Sequence, residues 1–230
     1  MALRNRLPSH HLDDASRGLL QIGLGIVGTM AGLVLGLLVS SATGSYNTQR
    51  GEVLEVASKV VLLDRILAHY GPAANPQRRA LRVGVQRALE DIWPKDAAKG
   101  PKLDPLATHG EALFDEIERL APHSDNQRGL KGDAISLAIA LGQTRWLMFE
   151  QSGSALSMPL LVLLIFWFTI TFVGFGLFSP SNATVLVALG LCALAVSGAI
   201  FVTVEMSTPF EGLMRIPSTP LQEALTNLGR

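Results

Sequence analysis

Side chains with chemical potential are few and scattered in this chain of 230 residues. His10-His11 with Asp13-Asp14 has the composition of a metal cluster. Adjacent histidines point apart on a helix, however, and no later His or Cys joins them at ligand spacing. The four residues read instead as a polar cap beside an apolar run. His69, His109 and His123 fall at helix ends and in loops, as ordinary polar residues. Cys192 is the only cysteine, so an intrachain disulfide is excluded, and it reads as a small hydrophobe packed in the last apolar run. There is no glycine loop with Lys to cradle phosphate, no strand-led dinucleotide fingerprint, no nucleophile elbow and no His-Glu-x-x-His. The expectation is a protein without catalytic residues, metal ligands or cofactor, and not an enzyme.

Spacing carries more than residue type. Gly28, Gly32, Gly36, Ser40 and Gly44 recur every four residues, which on a helix leaves a slowly drifting stripe without bulk. Such a stripe admits another helix closely, the small-xxx-small packing of membrane helices. Packing of span against span is the commoner use. Subunit packing around an axis, or a pore wall, is the sharper one. Two polar segments flank the apolar runs: Ser45-Tyr46 with Arg50 and Glu52, and Glu205 with Pro209-Phe210 and Gly212. By physics alone they read as a membrane-exit helix with interfacial anchors and a proline-punctuated tail.

The elements that position these residues follow from charge. Hydrophobic residues make up 48% and charged residues 17%, against about 25% charged in a soluble domain. Nineteen basic residues face nineteen acidic ones, which argues against nucleic acid as a partner. No charge occurs between Arg17 and Arg50 or between Glu150 and Glu205. A bilayer core of about 30 Å takes roughly 20 apolar residues as helix. The first gap predicts one span at 19–41, and the second predicts two, at 156–178 and 183–204, joined by the turn Ser179-Pro180-Ser181-Asn182. The first span starts too late and runs too long for a cleaved signal peptide, so it reads as a retained anchor. Residues 1–18 form a polar juxtamembrane segment and 205–230 a proline-punctuated tail. With three spans, 3 basic residues lie on one face and 16 on the other, which places the middle segment in the cytoplasm.

That middle segment, 42–155, reads as a helical extramembrane module. Val53, Val56, Val60, Leu63 and Leu67 share a helical face, and Gly71-Pro72 ends that helix. Asn75 is expected to cap the next helix, with Pro76 in its first turn and Trp93-Pro94 at its end. Thr108 with Glu111, and Ser124 with Gln127, have capping-box spacing. The second box opens a helix over 125–150 that is expected to run nearly unbroken into the second span, kinked near Pro159. The fold class is therefore an all-α membrane protein, with three transmembrane helices and a helical module between the first two.

Several stretches in order give the chain a family likeness: Arg6-Leu7-Pro8 with His10-His11-Leu12, Leu33 to Leu38, Leu62-Leu63-Asp64-Arg65 with Tyr70-Gly71-Pro72, and Glu205 to Gly212 with Pro220-Leu221. On these residues it resembles the bestrophin-like family of bacterial membrane proteins, distant relatives of the bestrophin anion channels. The resemblance implies the bacterial inner membrane, a homo-oligomer (a pentamer in the true channels) and passive passage of chloride or another small anion. Gly36, the membrane-flanking Ser45-Tyr46, Arg50 and Glu52, and Glu205, Pro209-Phe210 and Gly212 in the tail are similar to residues of those channels, although Gly36 to Ser45 is longer here and Glu211 intervenes before Gly212. A calcium clasp does not carry over, because Glu205-Met206-Ser207-Thr208 holds a single carboxylate. Family members usually carry a further span before the Arg-Leu-Pro segment, where this sequence starts, so either its start is shortened or this is a three-span form. The rival reading is a non-conducting scaffold or sensor whose helical module binds a protein partner.

Overall fold

The computed structural model describes residues 14–96, 100–102, 109–152, 156–178 and 182–229, and all of its regular structure there is helical. Helix α1 is Asp14–Tyr70, and a 3-10 turn, Pro72–Ala74, leads into α2 at Asn75–Ile92. Then come α3 (His109–Glu118), α4 (Asp125–Ser152), α5 (Met158–Phe178), α6 (Ala183–Ser207) and α7 (Thr219–Asn227). The His10-His11 segment, Thr108 and most of the turn before Asn182 lie outside the described residues. Among the described residues three helices, α1, α5 and α6, are long and apolar enough to cross a bilayer. The protein is a multi-pass membrane protein. At 57 residues α1 is about 85 Å long, far more than the hydrocarbon needs, so its charged second half extends beyond the span.

The chain divides into two compact units, one of residues 1–44 and 155–207, the other of 45–154 and 208–230. In the first unit Ala31, Leu38 and Leu164 are buried, with Val34, Leu35, Trp167, Phe168 and Ile200 packed on them. Hydroxyls in the spans return hydrogen bonds to their own helix: Thr171 Oγ1 to the Trp167 carbonyl at 2.9 Å and Thr203 Oγ1 to that of Ala199 at 2.7 Å. Neither hydroxyl is thereby left as a lone donor in lipid. Between apolar helices in lipid, association depends on close van der Waals fit, and small residues allow it. That fit sits at Gly174, where a Cβ would strike the Leu24 side chain, and at Gly28, 3.6 Å from Thr171 Cγ2. Gly174→Ala should therefore destabilise this unit by about 1–3 kcal/mol through overpacking. Leu24→Ala in the same chain should restore it, as read by detergent-induced unfolding.

Two expectations are corrected here. Leu156 and Ser157 are not helical, and α5 opens at Met158 with the Ser157 carbonyl accepting from the Leu161 N–H at 3.1 Å. Pro159 thus sits in the first turn of a helix, where its missing N–H is harmless, and it does not kink a continuous one. Cys192 is exposed on α6 and does not pack against the other spans.

The second unit has a core of its own, with Leu63, Leu67 and Ile117 fully buried among Val60, Leu81, Val85, Leu141 and Leu221. Gly71, at φ +110°, ends α1 in a conformation that favours glycine. Asn75 does not cap α2: it is already helical, its N–H bonds the Pro72 carbonyl, and Ala74 holds the cap position without a side-chain bond. The 3-10 turn delivers the chain into α2 directly, which removes the need for a side-chain cap. At α4 the Ser124 Oγ accepts from the Gln127 N–H at 3.2 Å. Gln127 reaches back to the His123 N–H at 2.8 Å and donates to the Tyr70 carbonyl at 3.0 Å, tying the start of α4 to the end of α1.

Candidate functional site

In the second unit, the stretch of α1 that follows Ser45 meets the end of α4 and the segment after α6. Tyr46, Gln49, Val53 and Val56 are spaced three and four apart, so they share one face of α1. Val53 packs in a cluster with Met148 of α4 and with Phe210 and Ile216, and Tyr46, Val56, Ile92 and Trp93 close round it. The segment 208–216 is folded on itself. The Glu211 N–H donates to the Thr208 carbonyl at 3.0 Å and the Ile216 N–H to that of Pro209 at 2.6 Å. Gly212 turns the chain at φ +72°, a conformation that glycine adopts without strain. Trp93 locks the loop: its indole N–H donates to the Ile216 carbonyl at 2.8 Å, and its ring meets Phe210 edge-on at 5.8 Å.

Beside this apolar knot lies a polar group with few partners. Gln49 is fully buried and neither of its side-chain polar atoms has a hydrogen bond. Glu52, 8% exposed, accepts from Gln151 Nε2 at 2.9 Å through Oε1, while its Oε2 is buried and unpartnered. Burial pushes the Glu52 carboxyl above its ordinary value; the Gln151 hydrogen bond opposes this and the Glu55 charge adds to it. The arrangement can hold a proton. It contains no nucleophile-base pair that would suit covalent chemistry.

Of the other residues singled out by spacing, only some converge. Pro209 and Phe210 are buried, Ser45 and Tyr46 are half-buried, and Arg50 and Gly212 are exposed. Glu205 is half-buried near the end of α6, in the first unit. Gly28 touches Thr171, whereas a Cβ at Gly32, Gly36 or Gly44 would meet nothing of its own chain, and Ser40 is exposed. Span-against-span packing therefore uses Gly28 and the positions Ala31, Leu35 and Leu38, not the rest of the stripe. The stripe follows intervals of four, which drift off a face that repeats every 3.6 residues.

Spacing missed Gln49, Gln151, Met148 and Ile216. Gln49 was findable, since it lies one turn before Glu52 on the face that carries Tyr46 and Val53. Gln151 and Ile216 carry no such signal, because their partners are remote in sequence. Asp64 and Leu221 belong to the family-like stretches, and both serve the scaffold: Asp64 pairs with Arg78 and Leu221 is buried in the core. A family model described as a Bestrophin-like domain matches residues 1–221. No curated protein and no solved structure matches the chain.

Proposed function

The chain belongs to the bestrophin-like family, and on that premise we propose that it assembles into a homo-oligomer that passes small anions such as chloride down their gradient through a pore lined by α1. One observation carries this reading. The protomer's own packing in the spans uses the Gly28–Ala31–Leu38 face of α1, and leaves Gly32, Gly36 and Ser40 with open space beside the glycines and the serine exposed. A small-residue surface of this kind suits a second copy of the helix or a narrow lumen. Because the spans carry no charge, selectivity would come from a tight, apolar wall that forces partial dehydration of the ion. The work proposed is passive transport, with no bond made or broken. A cytoplasmic helical module in a bacterial inner membrane is part of this proposal and rests on the family membership.

The test is chloride or iodide flux into liposomes that hold the purified full chain. The expected result is flux well above protein-free liposomes, driven by the anion gradient alone. Flux at the protein-free level would overturn conduction and leave the scaffold reading, for which a stable partner of the helical module would be the positive sign.

A further inference from the structure

We propose that Gln49, Glu52 and Gln151 form a proton-binding site in which a neutral Glu52 carboxyl latches α1 to the end of α4. The geometry sets the requirement. Glu52 Oε1 is used by Gln151 of α4 at 2.9 Å, and Oε2 is buried without a partner. One turn back on the same helix, the Gln49 side-chain carbonyl and amide nitrogen are also buried and unpartnered. Buried polar atoms left unsatisfied are costly, and a buried carboxylate without a cation is more so. A proton on Oε2 removes the charge and turns an orphan acceptor into a donor.

The alternatives to a proton fit less well. Within about two helical turns of Glu52, Gln151 and Ile92, the ionisable groups are Tyr46, Arg50, Glu55 and Lys59 on α1, Arg145 and Glu150 on α4, and Arg87, Glu90 and Asp91 on α2, with Glu211 and Arg215 in the loop before α7. Of these only Glu55 acts on Glu52, and it repels the charged form; Lys59 is committed to Glu55 at 2.7 Å. A bound cation such as calcium asks for about 6–8 oxygens, whereas the free oxygens here are Gln49 Oε1 and Glu52 Oε2. A single proton needs no more than that.

The direction with pH follows. A carboxyl whose pKa is raised in the folded state contributes fully below its ordinary value near 4.5, and that contribution is lost as pH rises through the elevated value. The latch is closed in acid and loosens in base. It sits on the same unbroken helix as Gly28 to Ser40.

Hydrogen exchange of the α4 segment around Met148 and Gln151, in the full chain in detergent, reads the latch directly. The scan runs from about pH 5 to about pH 8.5, a range that covers documented buried glutamates. After correction for intrinsic exchange, wild-type protection should fall with pH, by up to about tenfold per unit between the ordinary carboxyl value near 4.5 and the elevated folded value, and level off above it. Glu52→Gln should keep the acid-level protection at every pH, and Glu55→Gln should make the fall smaller and end it at lower pH. Flat wild-type protection, or a Glu52→Gln chain that titrates like wild type, would overturn the proposal. The readout involves no flux, so a failure to conduct and a failure of the latch are told apart.

Discussion

Gly32→Leu should leave the protomer folded and reduce anion flux to the level of protein-free liposomes. A Cβ at position 32 meets no atom of its own chain within 4 Å, so the larger side chain has room in the protomer. Leucine also favours a helix over glycine, by somewhat less than the roughly 0.8–1.0 kcal/mol that separates alanine from glycine, and it is at home in lipid. Nothing in the protomer resists the change. In an oligomer the same side chain would fill either the contact between neighbouring copies or the lumen, and a core packed to normal density does not yield to so large a side chain. Gel filtration separates the two routes. An oligomer of unchanged size without flux assigns Gly32 to the pore wall, and loss of the oligomer assigns it to the subunit contact. Normal size with normal flux would sink the role of the stripe. Gly28→Leu is the contrasting variant, since it would press on Thr171 and perturb the protomer itself.

The second large effect is expected at a distance from the spans. Arg78→Met should destabilise the helical module by about 3–5 kcal/mol, because removing one partner of a buried ion pair strands the other charge. Asp64, 3% exposed at its side chain, receives Arg78 Nε and Nη2 at 2.8 Å each and the Gly229 N–H at 3.2 Å. Arg82 meanwhile donates to the Leu228 carbonyl at 3.0 Å. The pair thus binds α1, α2 and the segment after α7 together. Burial pushes the Asp64 carboxyl up, but hydrogen bonds from Arg78 and Gly229, with the charges of Arg78 and Arg65, hold it below its ordinary value.

The pH dependence changes sign between the two chains. In wild type the Asp64 contribution is present above the ordinary value of 3.8 and is lost as pH falls through the lower folded value. In Arg78→Met, burial without the guanidinium raises the carboxyl, so mild acid should recover part of the loss. Denaturant unfolding of the full chain in detergent, followed by circular dichroism across pH, measures both effects. Asp64→Leu with Arg78→Met should regain most of the stability, since an apolar pair can replace a buried ionic one. A double variant as unstable as the single one would show that the pair does more than neutralise itself.

Much of the fold is legible along the chain. The two charge-free gaps mark the spans because an ion is expensive in hydrocarbon wherever the helix that carries it goes. Gly71-Pro72 marks the end of α1, and Ser124 with Gln127 marks the start of α4, because both rest on backbone groups within a few residues. Asn75 and Pro159 show the limit of local signals. Asn75 has cap chemistry, but the 3-10 turn before it has already delivered the backbone into the helix. Pro159 could kink a helix or begin one, and two non-helical residues before α5 decide for the second.

The candidate site was half legible. Tyr46, Glu52 and Phe210 stand out by type and by their place beside the apolar runs, yet nothing near Glu52 in sequence announces Gln151, its partner from α4. The glycine stripe shows the same division. Its spacing declares a surface without bulk, but whether that surface meets α5 or stays open depends on how the helices are rotated against one another.

By itself, then, the sequence determined the class of this protein: helical, membrane-spanning, with a charged module between the first two spans. Those are properties of segments against their solvent, water or lipid, and each segment settles them alone. The tertiary structure decided which faces are spent on packing, that Asp64 and Arg78 form a closed pair, that Trp93 holds the loop at Ile216, and that Gln49 and Glu52 are buried, with no salt bridge to Glu52 among the described residues. These depend on contacts between remote segments, where a rotation of one helix by a single residue moves every side chain to a different neighbour.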